Sequence, residues 1–246
     1  MDSVSSHVFL SAIDKERFGI QTARAPRMTI ETLTSVLDFC YAYSVKLLIA
    51  RCDACDTKTA QAMESNGFFL TDTLLYYQCD MQAAPKMHVS PGVFVRPVCC
   101  GEEEMIKNLA AESFRGYIGH YHTDPMLDRD KCDETYASWA YHSCSLGDFA
   151  DQVLVAERNG SLAGFITLKI NTPEEGQMVL SAIHPDAHGS GVYSALVSAA
   201  KRWCFQRGAK RITTSTQLPN MAVQKVWGRQ EFWLTHAAYT FHKWFD

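Results

Sequence analysis

The fold is decided by residues 178–207, MVLSAIHPDAHGSGVYSALVSAAKRWCFQR. An apolar run, Met178 to Ile183, leads into a proline-containing turn and then two glycines one residue apart, Gly189 and Gly191. Apolar residues then recur at Val192, Ala195, Leu196, Ala199, Ala200 and Trp203, the spacing of a helix packed along one face. Strand, glycine turn and helix together present backbone N–H groups and a helix N-terminus to a phosphate. A lone G-x-G is most often an ordinary turn, so its meaning depends on the elements around it.

Downstream of this stretch the pattern gives a strand at 210–216, a helix beginning near Asn220 and a last strand at 235–244. Upstream, strands at 152–157 and 163–171 flank Asn159-Gly160, a hairpin signal. Earlier still come a strand at 93–96, a helix over 101–114 with acids in its first turn, a polar and aromatic loop at 115–131, and a helix from Cys132 to Cys144. The first third reads as a helix at 28–43, a buried strand at 45–51, a helix at 57–65 stopped by Asn66-Gly67, and one or two strands over 68–80. The proline-bearing segment 81–92, MQAAPKMHVSPG, is the best linker.

A gap-free shift of 164 residues lays 28–69 on 192–233, with Phe39-Cys40-Tyr41 on Trp203-Cys204-Phe205 and Lys46 on Lys210. The chain is therefore read as an internal repeat. The positions matching Gly189-Ser190-Gly191 are Ala25-Pro26-Arg27. Proline there has no N–H to donate, and the bulkier residues block close backbone approach, so the first copy keeps the fold without a phosphate cradle.

Composition narrows the function classes. In 246 residues, 47% are hydrophobic and 20% charged, the balance of a globular protein. A net charge of −4 argues against nucleic acid or an anionic membrane as partner. The opening MDSVSSHVFLSAIDKERFG lacks a basic start and apolar core, so no secretory signal is expected, and no apolar run reaches membrane-spanning length. Nine cysteines without a zinc-type arrangement are read as reduced thiols in a cytoplasm, with Cys40 and Cys204 on buried helix faces.

The second half, taken as a whole, resembles a GCN5-related N-acetyltransferase (GNAT) domain. That family's loop pattern, Arg/Gln-x-x-Gly-x-Gly/Ala, here reads His188-Gly189-Ser190-Gly191-Val192-Tyr193. Gly191 is retained, while His188 and Tyr193 depart from the pattern. Further features resemble TDP-fucosamine acetyltransferase and related dTDP-amino-sugar N-acyltransferases. They are Phe18-Gly19-Ile20, Asn66-Gly67-Phe68, Ser113-Phe114, the run His120-Tyr121-His122-Thr123-Asp124-Pro125, Tyr136-Ala137-Ser138-Trp139, Trp203-Cys204, and Thr216-Gln217 with Asn220.

The resemblance implies an α+β fold of two tandem GNAT-like domains, each a mixed and mostly antiparallel sheet flanked by helices. Residues 1–85 would be a vestigial copy and 86–246 the competent one. It implies transfer of an acyl group, acetyl or another short chain such as hydroxybutyryl, from acyl-CoA to the amine of a dTDP-linked aminodideoxy sugar for surface polysaccharide. The partners would be those two substrates, and the chain a monomer or homodimer. Coenzyme A would lie along Ala182 and Ile183, the loop His188, Gly189, Ser190, Gly191, Val192, Tyr193 and Ser194, and the helix of Asn220 and Trp227. Strand 180–183 would splay from strand 210–216, with a backbone N–H near Ala182 or Ile183 facing the oxyanion. Asn220 is also a natural helix cap.

Where the family places a tyrosine able to protonate the leaving thiolate, this chain has Trp227, whose indole N–H donates but does not ionise. No catalytic residue is assigned, with Tyr193 and Tyr239 as weak alternatives. The sugar nucleotide is placed on Arg115, His120, His122, Thr216 and Gln217, Arg115 for its fork of donors. The two histidines are either bases or ordinary hydrogen-bonding side chains, and a zinc site built from them lacks a third ligand. Two alternatives stand beside this reading: an acetyltransferase for a protein or polyamine amine, and a catalytically silent binding module.

Overall fold

The computed structural model describes residues 7–246 apart from 87, 89, 146 and 148. Residues 87 and 89 of the expected linker, and the first six residues of the N-terminal stretch, therefore lie outside it. The elements in order are β1 (Phe9–Leu10), α1 (Ala12–Phe18), β2 (Thr22–Ala25), α2 (Ile30–Ala42), β3 (Leu47–Asp53), α3 (Thr57–Ser65) and β4 (Phe69–Asp80). After the linker come β5 (Val93–Pro97), α4 (Glu103–Ser113), α5 (Arg129–Cys144), β6 (Gln152–Arg158), β7 (Ser161–Thr172) and β8 (Glu175–Ile183). The chain ends with α6 (Val192–Gln206), β9 (Arg211–Gln217), α7 (Met221–Arg229) and β10 (Trp233–Trp244). This is a mixed α/β fold with one large mixed sheet and seven α-helices among the described residues.

Local chemistry accounts for the ends of these elements. Thr29 and Thr32 form a capping box at the start of α2. Asp128 caps α5 by accepting from the backbone N–H of Asp130 and Lys131, so this helix begins three residues before the expected Cys132. The hairpin between β6 and β7 turns at Asn159 (φ 53°) and Gly160 (φ 80°), both left-handed as a tight turn of this hand requires. α1 and β2 carry too few residues to show a period. Ser11, accepting from Asp14 N–H, and left-handed Gly19 are their only strong local signals.

The two sheets expected from the sequence are joined into a single one, in the order β1-β2-β3-β10-β4-β9-β8-β7-β6-β5. β10, the last strand of the chain, lies antiparallel between β3 and β4, and β4 in turn pairs with β9. Strands from before and after residue 85 thus interleave, and neither β4 nor β10 is left as an open edge with unpaired backbone groups. The 164-residue offset carries β3 onto β9 (47–53 to 211–217), α3 onto α7 (57–65 to 221–229) and β4 onto β10 (69–80 to 233–244). Under that exchange, with β2 matched to β8, the order β2-β3-β10-β4-β9-β8 reads the same from either end. Leu74 pairs with Ala238, its own counterpart at the same offset, so the local two-fold passes through this pair.

Two apolar cores lie under equivalent helices. Val36 and Cys40 of α2 pack with Met63, Phe68 and Phe241, while Leu196, Trp203 and Cys204 of α6 pack with Ile166, Trp227 and Phe232. The buried positions of Cys40 and Cys204 agree with the reading of their helices. The other face of the second half is covered by α4 and α5, through Ile106, Ala110 and Ala140 against Phe165, Leu180 and Ala182. No helix among the described residues is long and apolar enough to cross a membrane.

Candidate active site

The site begins where two strands part. β8 and β9 run parallel, but their pairing stops at Gln177 opposite Thr213. Immediately beyond, Thr167 pairs with Leu180 and Leu168 with Met178, so Val179 is an extra residue on β8, a bulge. The bulge turns β8: Met178 faces the α6 core, whereas Leu180 and Ala182 face the α4 core. Thr167 Oγ1 accepts the Leu180 N–H at 3.0 Å and holds the bent strand. From Met178 on, the β9 side of β8 has no ladder partner, and a gap opens between the strands.

Beyond β8, a short 3₁₀ turn at Pro185–Ala187 leads to Gly189 (φ 73°) and Gly191 (φ 83°), which caps α6. Ser190 Oγ donates back to Ala187 O, and the His188 ring meets Ile183 O at 3.2 Å, so both side chains brace the turn. The first-turn N–H groups of α6, from Val192 to Ser194, have no partner within the helix and are the donors such a loop offers an anion. Coenzyme A fits these features: a left-handed glycine cradle, a helix N-terminus and an open strand edge.

The gap opens into a cavity of about 540 Å³. Six of the residues singled out from sequence line it: Tyr193, Asn220, Trp227, His120, Thr216 and Gln217. Asn220 stands at the N-cap position of α7, but its side chain makes no capping hydrogen bond; its Nδ2 donates instead to Thr216 Oγ1 at 3.0 Å. Trp227 is buried, and its indole N–H donates to Tyr193 Oη at 3.0 Å. Burial pushes the Tyr193 phenol up to about 12, against the hydrogen bonds of Ser181 and Trp227. Tyr239 packs against the α2 core, away from the cavity.

Ala182 and Ile183 lie on β8, residues 188–191 on the glycine turn and Val192 and Ser194 in the first turn of α6, all outside the cavity lining. Arg115 is exposed in the turn after α4, also outside it. His122 is occupied on both ring nitrogens. Nδ1 accepts from Gly119 N–H at 3.1 Å and Nε2 faces Asp133 at 3.1 Å, which leaves it bracing its own loop.

The residues that sequence reasoning passed over come from the first half. Arg17, Arg24 and Arg51 line the cavity with Lys169, and no aspartate or glutamate does so among the described residues. Arg24 is fixed by the buried Asp14 carboxylate, with Nε at 2.6 Å and Nη2 at 2.9 Å, and by Tyr121. Arg17 reaches the same hydroxyl at 3.5 Å, and Arg51 Nε donates to Thr240 Oγ1 at 3.3 Å. Aromatic residues share the lining, among them Tyr76, Tyr117, Tyr136 and Trp139; Tyr76 is stacked on His236 and Tyr136 on Phe114. The legible signal was a charge inside an apolar strand: Arg51 in LLIARCD demands a partner or a ligand. Among the described residues no group of three His, Cys, Asp or Glu side chains is placed to hold a metal.

Residues 104–232 match the acetyltransferase (GNAT) family. The chain is 26% identical over 144 residues to the spore coat polysaccharide biosynthesis protein SpsD of Bacillus subtilis (strain 168). That stretch covers 58% of this chain and 48% of the relative, so the chain spans about half of the relative's length. Among solved structures, a GCN5-related N-acetyltransferase from Sphaerobacter thermophilus is similar with a TM-score of 0.65 at 13% identity, covering 96% of this chain and 76% of that one. A tandem GNAT protein from the clavulanic acid biosynthesis pathway is similar with a TM-score of 0.58 at 12% identity, covering 92% and 76%. At these identities the two structures show the fold alone.

Proposed function

The chain belongs to the acetyltransferase (GNAT) family, and we propose that it is an acyl-CoA-dependent N-acyltransferase acting on the amine of a dTDP-linked aminodideoxy sugar. The observation that carries the acceptor class is the charge of the cavity. In a chain of net charge −4, its lining holds three arginines and a lysine and no acid among the described residues. Asp14 pairs with Arg24 and Arg17, and Asp72 stands near Arg51. The charged side chains of the lining itself are nonetheless all basic among the described residues, which suits a diphosphate better than a polyamine. Tyr117 and Trp139 in the lining offer aromatic surface to a pyrimidine ring. A relative named for spore coat polysaccharide biosynthesis supports a sugar as the acceptor.

In this reading Gly189, Ser190, Gly191 and the first turn of α6 hold the pyrophosphate of acyl-CoA, with His188, Val192 and Ser194 shaping the turn. The pantetheine arm lies along β8 past Ala182 and Ile183. The thioester enters the cavity beside Tyr193, Asn220 and Trp227, and the sugar nucleotide enters from the arginine side, past Thr216 and Gln217. Holding the two in near-attack geometry can supply ~7 kcal/mol or more of the barrier. Residues 1–85 and 86–246 are read as two copies of one unit, the first of which has lost the coenzyme loop and lends its arginines to the acceptor. The matching element bounds at an offset of 164 and the symmetric strand order support this.

The test is thiol release from acetyl-CoA with a dTDP-4-amino-4,6-dideoxy sugar, with the free amino sugar and with spermidine. The expected result is rapid release with the nucleotide-linked amine and slow or no release with the others. Efficient turnover of spermidine would overturn the anionic-acceptor reading. Coenzyme binding without release to any amine would leave a silent binding module.

A further inference from the structure

Three buried side chains connect the far wall of the cavity to a carboxylate. His120 lines the cavity, and its Nδ1 lies 2.9 Å from His242 Nε2. His242 Nδ1 lies 2.6 Å from Asp124 Oδ2, which also accepts from Trp244 Nε1 at 3.0 Å, while Oδ1 accepts from Met126 N–H at 3.0 Å. Relative exposures are 8% for His120, 0% for His242 and 2% for Asp124, so little water competes for these bonds. The row is assembled from the loop before α5 and from the inserted strand β10.

The donor–acceptor order follows from the carboxylate. Burial alone would raise the Asp124 pKa, but hydrogen bonds from His242, Met126 N–H and Trp244 outweigh it and hold the group ionised. An ionised carboxylate only accepts, so His242 carries a proton on Nδ1. In the relay His242 is the neutral ring, which offers its Nε2 lone pair to His120. His120 must then donate from Nδ1, which leaves its Nε2 bare. That nitrogen has no hydrogen-bond partner among the described residues. Burial first, and then the nearby His242, Arg51, Arg24 and His122, keep His120 neutral.

We propose that Asp124, His242 and His120 form a proton relay whose terminal His120 Nε2 is the general base of acyl transfer. This rests on the acyl-transfer reading above. As the acceptor nitrogen bonds to the thioester carbon, its N–H becomes acidic and the proton passes to His120 Nε2. The C–S bond then breaks, sulfur leaves as thiolate, and the proton reaches that thiolate from the imidazolium through solvent. Amine and thioester give amide and thiol. His120 is the catalytic residue. His242 and Asp124 position it and share the charge it acquires.

The experiment is ¹⁵N NMR of the full chain labelled at histidine, paired with kinetics of Asp124→Asn and His120→Gln. In the wild type both His120 and His242 should read as Nδ1–H tautomers. Asparagine at 124 can donate to His242 Nδ1, so Asp124→Asn should turn both rings to Nε2–H. The same variant should lower thiol release about a hundredfold, with KM for acetyl-CoA unchanged. His120→Gln should lose as much, which keeps the test open if Asp124→Asn fails to fold. Both rates are also read on the slow loss of thiol from acetyl-CoA to water, which needs no acceptor. An Nε2–H tautomer for His120 in the wild type, or undiminished release in either variant, would overturn the relay. Release to water that depends on His120, with none to any dTDP-amino sugar, would instead fail the acceptor reading and leave the relay standing.

Discussion

Asp14 shows how one residue of the first half shapes a site in the second. Its carboxylate is fully buried and takes hydrogen bonds from Ser11, Arg24 and Tyr121. Burial pushes its pKa up, and Arg24 with the two hydroxyls pushes it further down, so the net shift is below the ordinary value of 3.8. A carboxyl lowered on folding contributes stability that is complete above the unfolded pKa and is lost as pH falls through the folded one. Asp14→Asn leaves Arg24 without its counter-charge and should cost ~3–5 kcal/mol near neutrality. In thermal melts the advantage of the wild type over this variant should be full above about pH 4 and shrink below it. An advantage that stays constant down to pH 2.5 would show that Asp14 does not anchor Arg24 as an ion pair. At this scale the sequence was readable where a residue acts through its neighbours in the chain, as at Gly191 or Asn159-Gly160. It was not readable for Asp14 and Arg24, whose roles depend on Tyr121, about a hundred positions away, and for Arg51 it showed a charge in need of a partner without showing Thr240.

At the scale of elements, β8, the glycine turn and α6 form the working unit. Their order was legible because a 15-residue helix and an apolar strand carry strong periodicity. The bulge at Val179 was not, since an extra residue in a strand leaves no mark in an apolar run. Asn220 holds the N-cap position without a side-chain capping bond, and its amide is turned toward Thr216 at the end of β9, a contact that residue type alone does not show. The conformation of Gly191 makes this unit sensitive. Its φ of 83° is left-handed, and a Cβ there would collide with Ser90 Oγ and lie 3.2 Å from Ser90 Cβ. Gly191→Ala therefore strains the cap by ~1–2 kcal/mol and displaces the loop donors. Calorimetry should find acetyl-CoA bound about tenfold more weakly, with an unchanged far-ultraviolet dichroism spectrum. Unaltered affinity would place the pyrophosphate elsewhere.

For the whole molecule, the decisive fact is the insertion of β10 between β3 and β4. It brings Arg51 and Thr240 together, sets His242 beside His120 and Asp124, and gives the second half's strand gap a wall from the first half. The repeat was visible as an offset of 164, but an offset orders elements along the chain without saying which strands pair. The first half thus reads in sequence as a vestigial copy, although its side chains line the cavity. The claim that this wall receives an anionic nucleotide is tested most directly by calorimetric titration of dTDP into the wild-type chain and into Arg51→Gln. The expected result is one saturable dTDP site in the wild type, weakened about tenfold or more by Arg51→Gln while acetyl-CoA affinity is unchanged. A wild type that binds acetyl-CoA and shows no heat of dTDP binding, or binds it equally well without Arg51, would contradict the account.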